Sequence, residues 1–161
     1  FMSIESAPGQ GCTVSIYLPR TTRGSAARGV LPGSSPLGRG QLILVVEDDD
    51  DVREVTLKRL EMLGYTVTEA RTGPEALERL TLQEGVRLVL SDIVMPGGMT
   101  GYDVARWVAS NKPDVKVIMC SGYNEGDQAI GAQGAIDGVA MLGKPYTRDQ
   151  LARALSEAFA H

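Results

Sequence analysis

The sequence predicts an α/β fold, a doubly wound sheet of five parallel strands with helices on both faces. From Gln41 onward, short apolar runs alternate with helical patterns five times over. Strands that alternate with helices demand a parallel sheet covered on both sides. Three of the apolar runs also end in charge: Leu42–Val46 meets Glu47 and Asp48, Arg87–Ser91 meets Asp92, and Val139–Gly143 meets Lys144. In a parallel sheet these ends share one edge, the edge where open α/β sheets carry their ligands. Right-handed crossovers then leave a flavodoxin-like (βα)5 arrangement as the simplest closure, three layers α/β/α with strand order 2-1-3-4-5.

Residues 1–20 are expected to form a β-hairpin: Val14, Ile16 and Leu18 alternate with Thr13, Ser15 and Tyr17, and Pro8-Gly9-Gln10-Gly11 supplies a turn. A lone hairpin is marginal in water, so this piece belongs with something larger. Residues 21–40 hold five Gly and two Pro but almost no apolar side chains, and read as a flexible linker. The main domain is residues 41–161. Its first helix starts at about Asp51, turns Val52, Val55, Leu60 and Leu63 inward, and ends at Gly64. Tyr65–Ala70 is the second strand. Thr72-Gly-Pro-Glu75 reads as a capping box opening a second helix with Leu77 and Leu80 inward. Arg87–Ser91 is the third strand, Gly101–Ala109 the third helix, and Val115–Cys120 the fourth strand. A glycine-diluted fourth helix is expected over Asn124–Gln133, then the fifth strand, Val139–Gly143. Thr147-Arg-Asp-Gln150 is a second capping box. It opens a last helix whose Leu151, Ala154, Leu155, Ala158 and Phe159 give the cleanest amphipathic spacing in the chain.

Composition narrows the function. A hydrophobic content of 43% in 161 residues fits a folded domain with appendages. No apolar run approaches the ~20 residues of a membrane span, and the start lacks the pattern of a signal peptide. Cys12 and Cys120 lie far apart in apolar runs, which suits a reduced cytoplasm better than a disulfide scaffold. Residues 41–161 hold 19 acids and 12 bases, a net −7, whereas residues 1–40 hold one acid and four bases, a net +3. An acidic main domain argues against direct binding of nucleic acid. Within it, Glu47 to Asp51 are all acids. Such a run directly after a buried-type strand points to a cation site. Asp49, Asp50 and Asp51 are expected to cap the first helix or face water.

The shared edge collects Glu47, Asp48, Asp92, Ser121 and Lys144. Mg2+ takes oxygen ligands. Asp48 and Asp92 offer carboxylates, a backbone carbonyl just after Asp92 a third oxygen, and Glu47 a contact through water. Asp92 is then a carboxylate nucleophile toward a phosphoryl group, and Lys144 a cation for the developing oxygens. Ser121 offers a hydroxyl to one phosphoryl oxygen, and Gly122 leaves room beside it.

Four motifs carry a resemblance: Leu42-Ile-Leu-Val-Val-Glu-Asp, Ser91-Asp-Ile-Val-Met-Pro-Gly-Gly-Met-Thr-Gly, Cys120-Ser-Gly and Gly143-Lys-Pro-Tyr. In this order and spacing, residues 41–161 resemble the receiver domain of bacterial two-component response regulators. The resemblance implies that Asp92 is the phosphoacceptor, taking phosphate from a phosphohistidine and switching conformation for protein partners. It implies that Glu47 and Asp48 are the acidic pair, Ser121 the switch hydroxyl, Lys144 the phosphate-contacting lysine and the Val94 carbonyl a metal ligand. Partners would be a histidine kinase or a histidine phosphotransfer protein, with no nucleic acid and no membrane contact. The Lys144–Pro145 bond is commonly cis in the family. Residues 1–20, through Gly9-Gln-Gly-Cys-Thr-Val-Ser-Ile-Tyr-Leu-Pro, resemble the last strands of the ATP-binding domain of histidine kinases. The implied parent is a hybrid histidine kinase with this receiver at its C-terminus; the fragment itself would lack kinase activity. Departures are Met141, where the family often has an aromatic residue, and Glu47 in place of a first aspartate. Val94 and Tyr123 stand where the family tunes hydrolysis, and neither is a good general base, so slow self-dephosphorylation is expected. The alternatives are a non-phosphorylated pseudo-receiver and a Mg2+-dependent aspartyl-phosphate phosphatase. The latter would need an acid at position 94.

Overall fold

The computed structural model describes residues 2–9, 11–17, 38–122 and 138–160. Residues 18–20 of the expected hairpin, Leu18 among them, residues 21–37 of the expected linker, Tyr123 and the helix expected over Asn124–Gln133 lie outside the described residues. The chain divides into two compact units, Phe1–Ser34 and Ser35–His161. In the first, β1 (Met2–Ala7) and β2 (Gly11–Ile16) form the expected antiparallel hairpin. Gly9 and Gly11, at φ 75° and 82°, supply the left-handed turn residues. The register pairs Met2 with Ile16 and Ile4 with Val14, and all four side chains are exposed.

In the second unit the chain runs β3 (Leu42–Val46), α1 (Asp50–Met62), β4 (Thr66–Ala70), α2 (Gly73–Leu82), β5 (Val86–Asp92), α3 (Gly101–Asn111), β6 (Lys116–Ser121), β7 (Val139–Gly143) and α4 (Arg148–Ala160). The five strands are parallel in the order β4-β3-β5-β6-β7, which is the predicted 2-1-3-4-5. Successive strand side chains point to opposite faces. Leu44, Val46 and Val89 therefore join a core with Ala76, Leu80, Val104 and Val108 from α2 and α3. Ile43, Val45, Leu88 and Leu90 join the opposite core with Leu60, Leu151 and Leu155 from α1 and α4.

Several local expectations shift. The buried side chains of α1 are Arg53, Thr56 and Leu60, with Leu63 buried just beyond, while Val52 and Val55 are exposed. The apolar spacing placed the inward face one step off because Arg53 and Thr56 find polar partners inside. The Thr72 hydroxyl accepts from the Glu75 N–H as a cap should, but Glu75 reaches back to the Arg71 N–H, one residue earlier than a capping box requires. Thr147 and Gln150 make the reciprocal bonds. A further reciprocal box, beyond the two expected, opens α3: Thr100 caps the Asp103 N–H, and Asp103 accepts from the Thr100 N–H at 2.8 Å. Gly38 and Gly40, placed in the linker by composition, already belong to the second unit. They donate to the carbonyls of Leu63 and Gly64 at 2.8 and 2.9 Å. A Cβ on Gly38 would lie 2.5 Å from the Gly64 carbonyl oxygen, so only glycine fits this contact. Among the described residues no helix is long and apolar enough to cross a membrane.

Candidate functional site

The strand order reverses between β3 and β5, since the chain first steps out to β4 and then returns. Such a switch point opens a crevice beyond the carboxyl ends of the strands. Glu47 and Asp48 come directly after β3 there, and Asp92 is the last residue of β5. One carboxylate oxygen from each of the three lies within 4.8 Å of the others. Glu47 is buried, Asp92 half-buried and Asp48 exposed, so the cluster opens to solvent on the Asp48 side.

Lys144 closes the constellation from the loop after β7. Its Nζ donates to Glu47 Oε2 at 2.6 Å and to Asp92 Oδ2 at 2.7 Å. The Lys144–Pro145 bond is cis, as the resemblance implied. The other Asp92 oxygen, Oδ1, accepts the Ile93 N–H at 2.7 Å, so both oxygens of this carboxylate are held. Burial alone would depress the Lys144 ammonium. The hydrogen bonds to Asp92 and Glu47 outweigh it and hold the group above its ordinary range. Burial pushes the Glu47 carboxyl upward, against the opposing pull of Lys144. A buried carboxylate beside two other acids is costly, and a bound cation would offset that cost.

Ser121, the last residue of β6, stands opposite Gly143 on the same edge, and its carbonyl accepts the Lys144 N–H at 2.6 Å. Val94 lies two residues after Asp92 and its side chain is exposed. Asp49 caps α1 through the N–H groups of Asp51 and Val52, while Asp50 and Asp51 are exposed, so these three acids stand as expected outside the cluster.

Three supporting residues were not expected from the sequence pattern. Gly101 lies so close behind β5 that a Cβ would sit 2.3 Å from the Asp92 carbonyl oxygen. Its one signal in the sequence is its place at the end of the Asp92 motif. Tyr146 is buried, with its hydroxyl 3.1 Å from Thr56 Oγ1 and its ring 5.9 Å from the Arg59 guanidinium. Arg53, buried in α1, donates to the carbonyl oxygen of Glu47 at 2.9 Å. Beside the site, Val52, Val55, Arg59, Lys144, Pro145 and Tyr146 help to line an open apolar groove of about 630 Å³.

The fold and this edge define a class: a doubly wound α/β domain with a carboxylate cluster and a lysine at its switch point. The sequence profile of the response regulator receiver domain matches residues 43–156, and the chain belongs to that family, the receiver domains of two-component systems. It is 35% identical over 166 residues to the sensor kinase CckA of Brucella abortus, an alignment that covers 98% of this chain and 17% of that kinase. It is 43% identical over 81 residues to the receiver protein CpdR of the same organism, covering 50% of this chain and 66% of CpdR. The chain thus spans about a sixth of the length of the sensor kinase it matches. Among solved structures, a response regulator receiver domain protein from Clostridium thermocellum aligns with a TM-score of 0.66 and 28% identity, covering 74% of this chain and 94% of that one. The response regulator TrrA from Thermotoga maritima, in complex with Mg2+–BeF, aligns with a TM-score of 0.63 and 30% identity over 73% of this chain and 98% of that one.

Proposed function

We propose that Asp92 is the phosphoacceptor of this receiver and that Glu47, Asp48, Asp92 and the Val94 carbonyl hold Mg2+. The observation that carries the reading is the Lys144 ammonium shared between the Asp92 and Glu47 carboxylates, with Asp48 beside them. An all-oxygen, carboxylate-rich donor set suits a hard cation, and TrrA, a related receiver, was solved with Mg2+–BeF. Bound there, Mg2+ would supply positive charge to the transferring phosphoryl oxygens.

The donor is a phosphohistidine of a histidine kinase or a histidine phosphotransfer protein. An Asp92 carboxylate oxygen attacks phosphorus, the P–N bond breaks, and its electron pair returns to the imidazole. The product is an acyl phosphate. The Ile93 N–H fixes the plane of the attacking carboxylate. Lys144, kept charged by its two acids, turns to the new phosphoryl group. Ser121 takes a second phosphoryl oxygen and biases the domain toward its active conformation for protein partners. The apolar groove lined by Val52 and Val55 runs up to Lys144, which makes it a resting surface for the phosphohistidine-bearing domain. We assign residues 1–20 to the end of a kinase ATP-binding domain, 21–37 to the linker and, with Gly38 and Gly40 bonded to Leu63 and Gly64, 38–161 to the receiver. The parent is a hybrid histidine kinase with the receiver in the cytoplasm; the CckA alignment, which runs through the hairpin and the receiver together, supports this.

Incubation with Mg2+ and a small phosphodonor, followed by intact mass, tests the reading. One added phosphoryl group that Asp92→Asn abolishes is expected. Continuous release of phosphate would indicate a phosphatase instead, and no added mass a pseudo-receiver.

A further inference from the structure

Arg53 is 4% exposed near the start of α1, directly beneath the acidic turn. By Coulomb's law alone its charge opposes any cation approaching Glu47 and Asp48. Burying it adds a desolvation cost. Its contacts supply the compensation. Nη1 donates to the Glu47 carbonyl at 2.9 Å and reaches the Asp48 carbonyl at 3.4 Å. Nε donates to Glu69 Oε2 at 2.8 Å, and Nη2 pairs with Asp50. The planar fork of arginine holds several acceptors in one fixed arrangement, which an ammonium cannot do. It thereby ties the two peptides of the acidic pair to the end of β4, where Glu69 stands in register with Val45.

We propose that Arg53 is a positioning residue for the cation site: it draws the Glu47 and Asp48 carbonyls back into the fork so that their carboxylates converge with that of Asp92. The inference rests on the reading of these three acids as the Mg2+ site. It makes Arg53 a favourable neighbour of a cation despite its charge, and this gives a test in which the sign of the effect decides.

Mg2+ affinity of the full chain is measured by titration calorimetry for wild type, Arg53→Met, Arg53→Lys and Glu69→Gln, with folding checked by circular dichroism. Outer-shell partners of metal sites typically contribute about 10- to 100-fold in affinity. We expect Arg53→Met to weaken Mg2+ binding by about 10-fold or more on that basis. Arg53→Lys, which keeps the charge but loses the fork, should also weaken it, and Glu69→Gln should do so by a smaller factor. Equal or tighter binding by folded Arg53→Met overturns the proposal, because charge removal alone would tighten the site. If Arg53→Met does not fold, unchanged affinity in both Arg53→Lys and Glu69→Gln overturns it. Wild-type protein that binds no Mg2+ would remove the cation-site reading itself and this inference with it. Wild-type binding with unaltered variants would remove only the role of Arg53.

Discussion

At the scale of single residues, the site contains groups placed by strand direction and groups placed by tertiary contact. Glu47, Asp48, Asp92 and Lys144 were legible because each stands at the end of a recognisable apolar run, and strand direction alone carries them to one edge. Arg53 was not, because an arginine in a helix ordinarily reads as solvated. Only the positions of Glu69 and of the Glu47 carbonyl show it to be buried. Cys120 reads correctly as a small core residue: it is buried, and burial pushes its thiol up to about 12, with nearby Lys144 opposing. A thiol so protonated is a poor nucleophile at neutral pH, whereas Cys12 is exposed. Alkylation of the folded chain with iodoacetamide at neutral pH should therefore modify Cys12 and spare Cys120, and both should react in denaturant. Peptide mapping that finds Cys120 labelled as fast as Cys12 in the folded protein would contradict the burial.

At the scale of elements, the helix and strand positions among the described residues were legible because periodicity reports them, whereas the facing of α1 was not. Val52 and Val55 supply apolar spacing, yet the helix is rotated so that Thr56 reaches Tyr146 and Arg53 reaches Glu69. Hydrophobicity alone cannot see buried polar partners. The start of α3 tests how firmly a cap holds the segment behind Asp92. The Thr100 hydroxyl, and after it the Thr100 N–H, hold the Asp103 carboxyl below its ordinary value of 3.8. A carboxyl lowered in the folded state contributes stability that is present above 3.8 and is lost as pH falls through the lower folded value. Thr100→Ala should cost about 1 kcal/mol at neutral pH. Its deficit should shrink on acidification below about pH 4, as the carboxyl takes up its proton. Urea unfolding of both proteins at neutral and acid pH checks this, and a deficit that does not change with pH would exclude Asp103 from the cap's energetics.

At the scale of the whole molecule, the sheet order was legible because alternation and crossover handedness leave few arrangements, and the strand order agrees with the prediction. The start of the folded unit was not, since Gly38 and Gly40 look like linker until the Leu63 and Gly64 carbonyls are seen to need them. The sheet separates two cores, with Leu80 fully buried in one and Leu155 in the other. Truncation to alanine at either position should cost about 2–5 kcal/mol. Because the two sites lie in separate cores, the double variant should lose about the sum. Denaturant unfolding of the receiver should remain one transition in each variant, and two separated transitions would show that the faces unfold independently.

The contact of Gly38 with the end of α1 has a spatial consequence. Gly38 and Gly40 bond beside the start of β4, and the Thr66 N–H donates to Gln41 at 3.0 Å, so the polypeptide enters at the pole where the strands begin. Asp92 lies at the opposite pole, a strand length of about 15 Å away. A tether attached ahead of Gly38 is therefore anchored at the pole opposite Asp92. A tag or fusion partner grafted there starts from the far end of the strands and must span at least that strand length to reach Asp92.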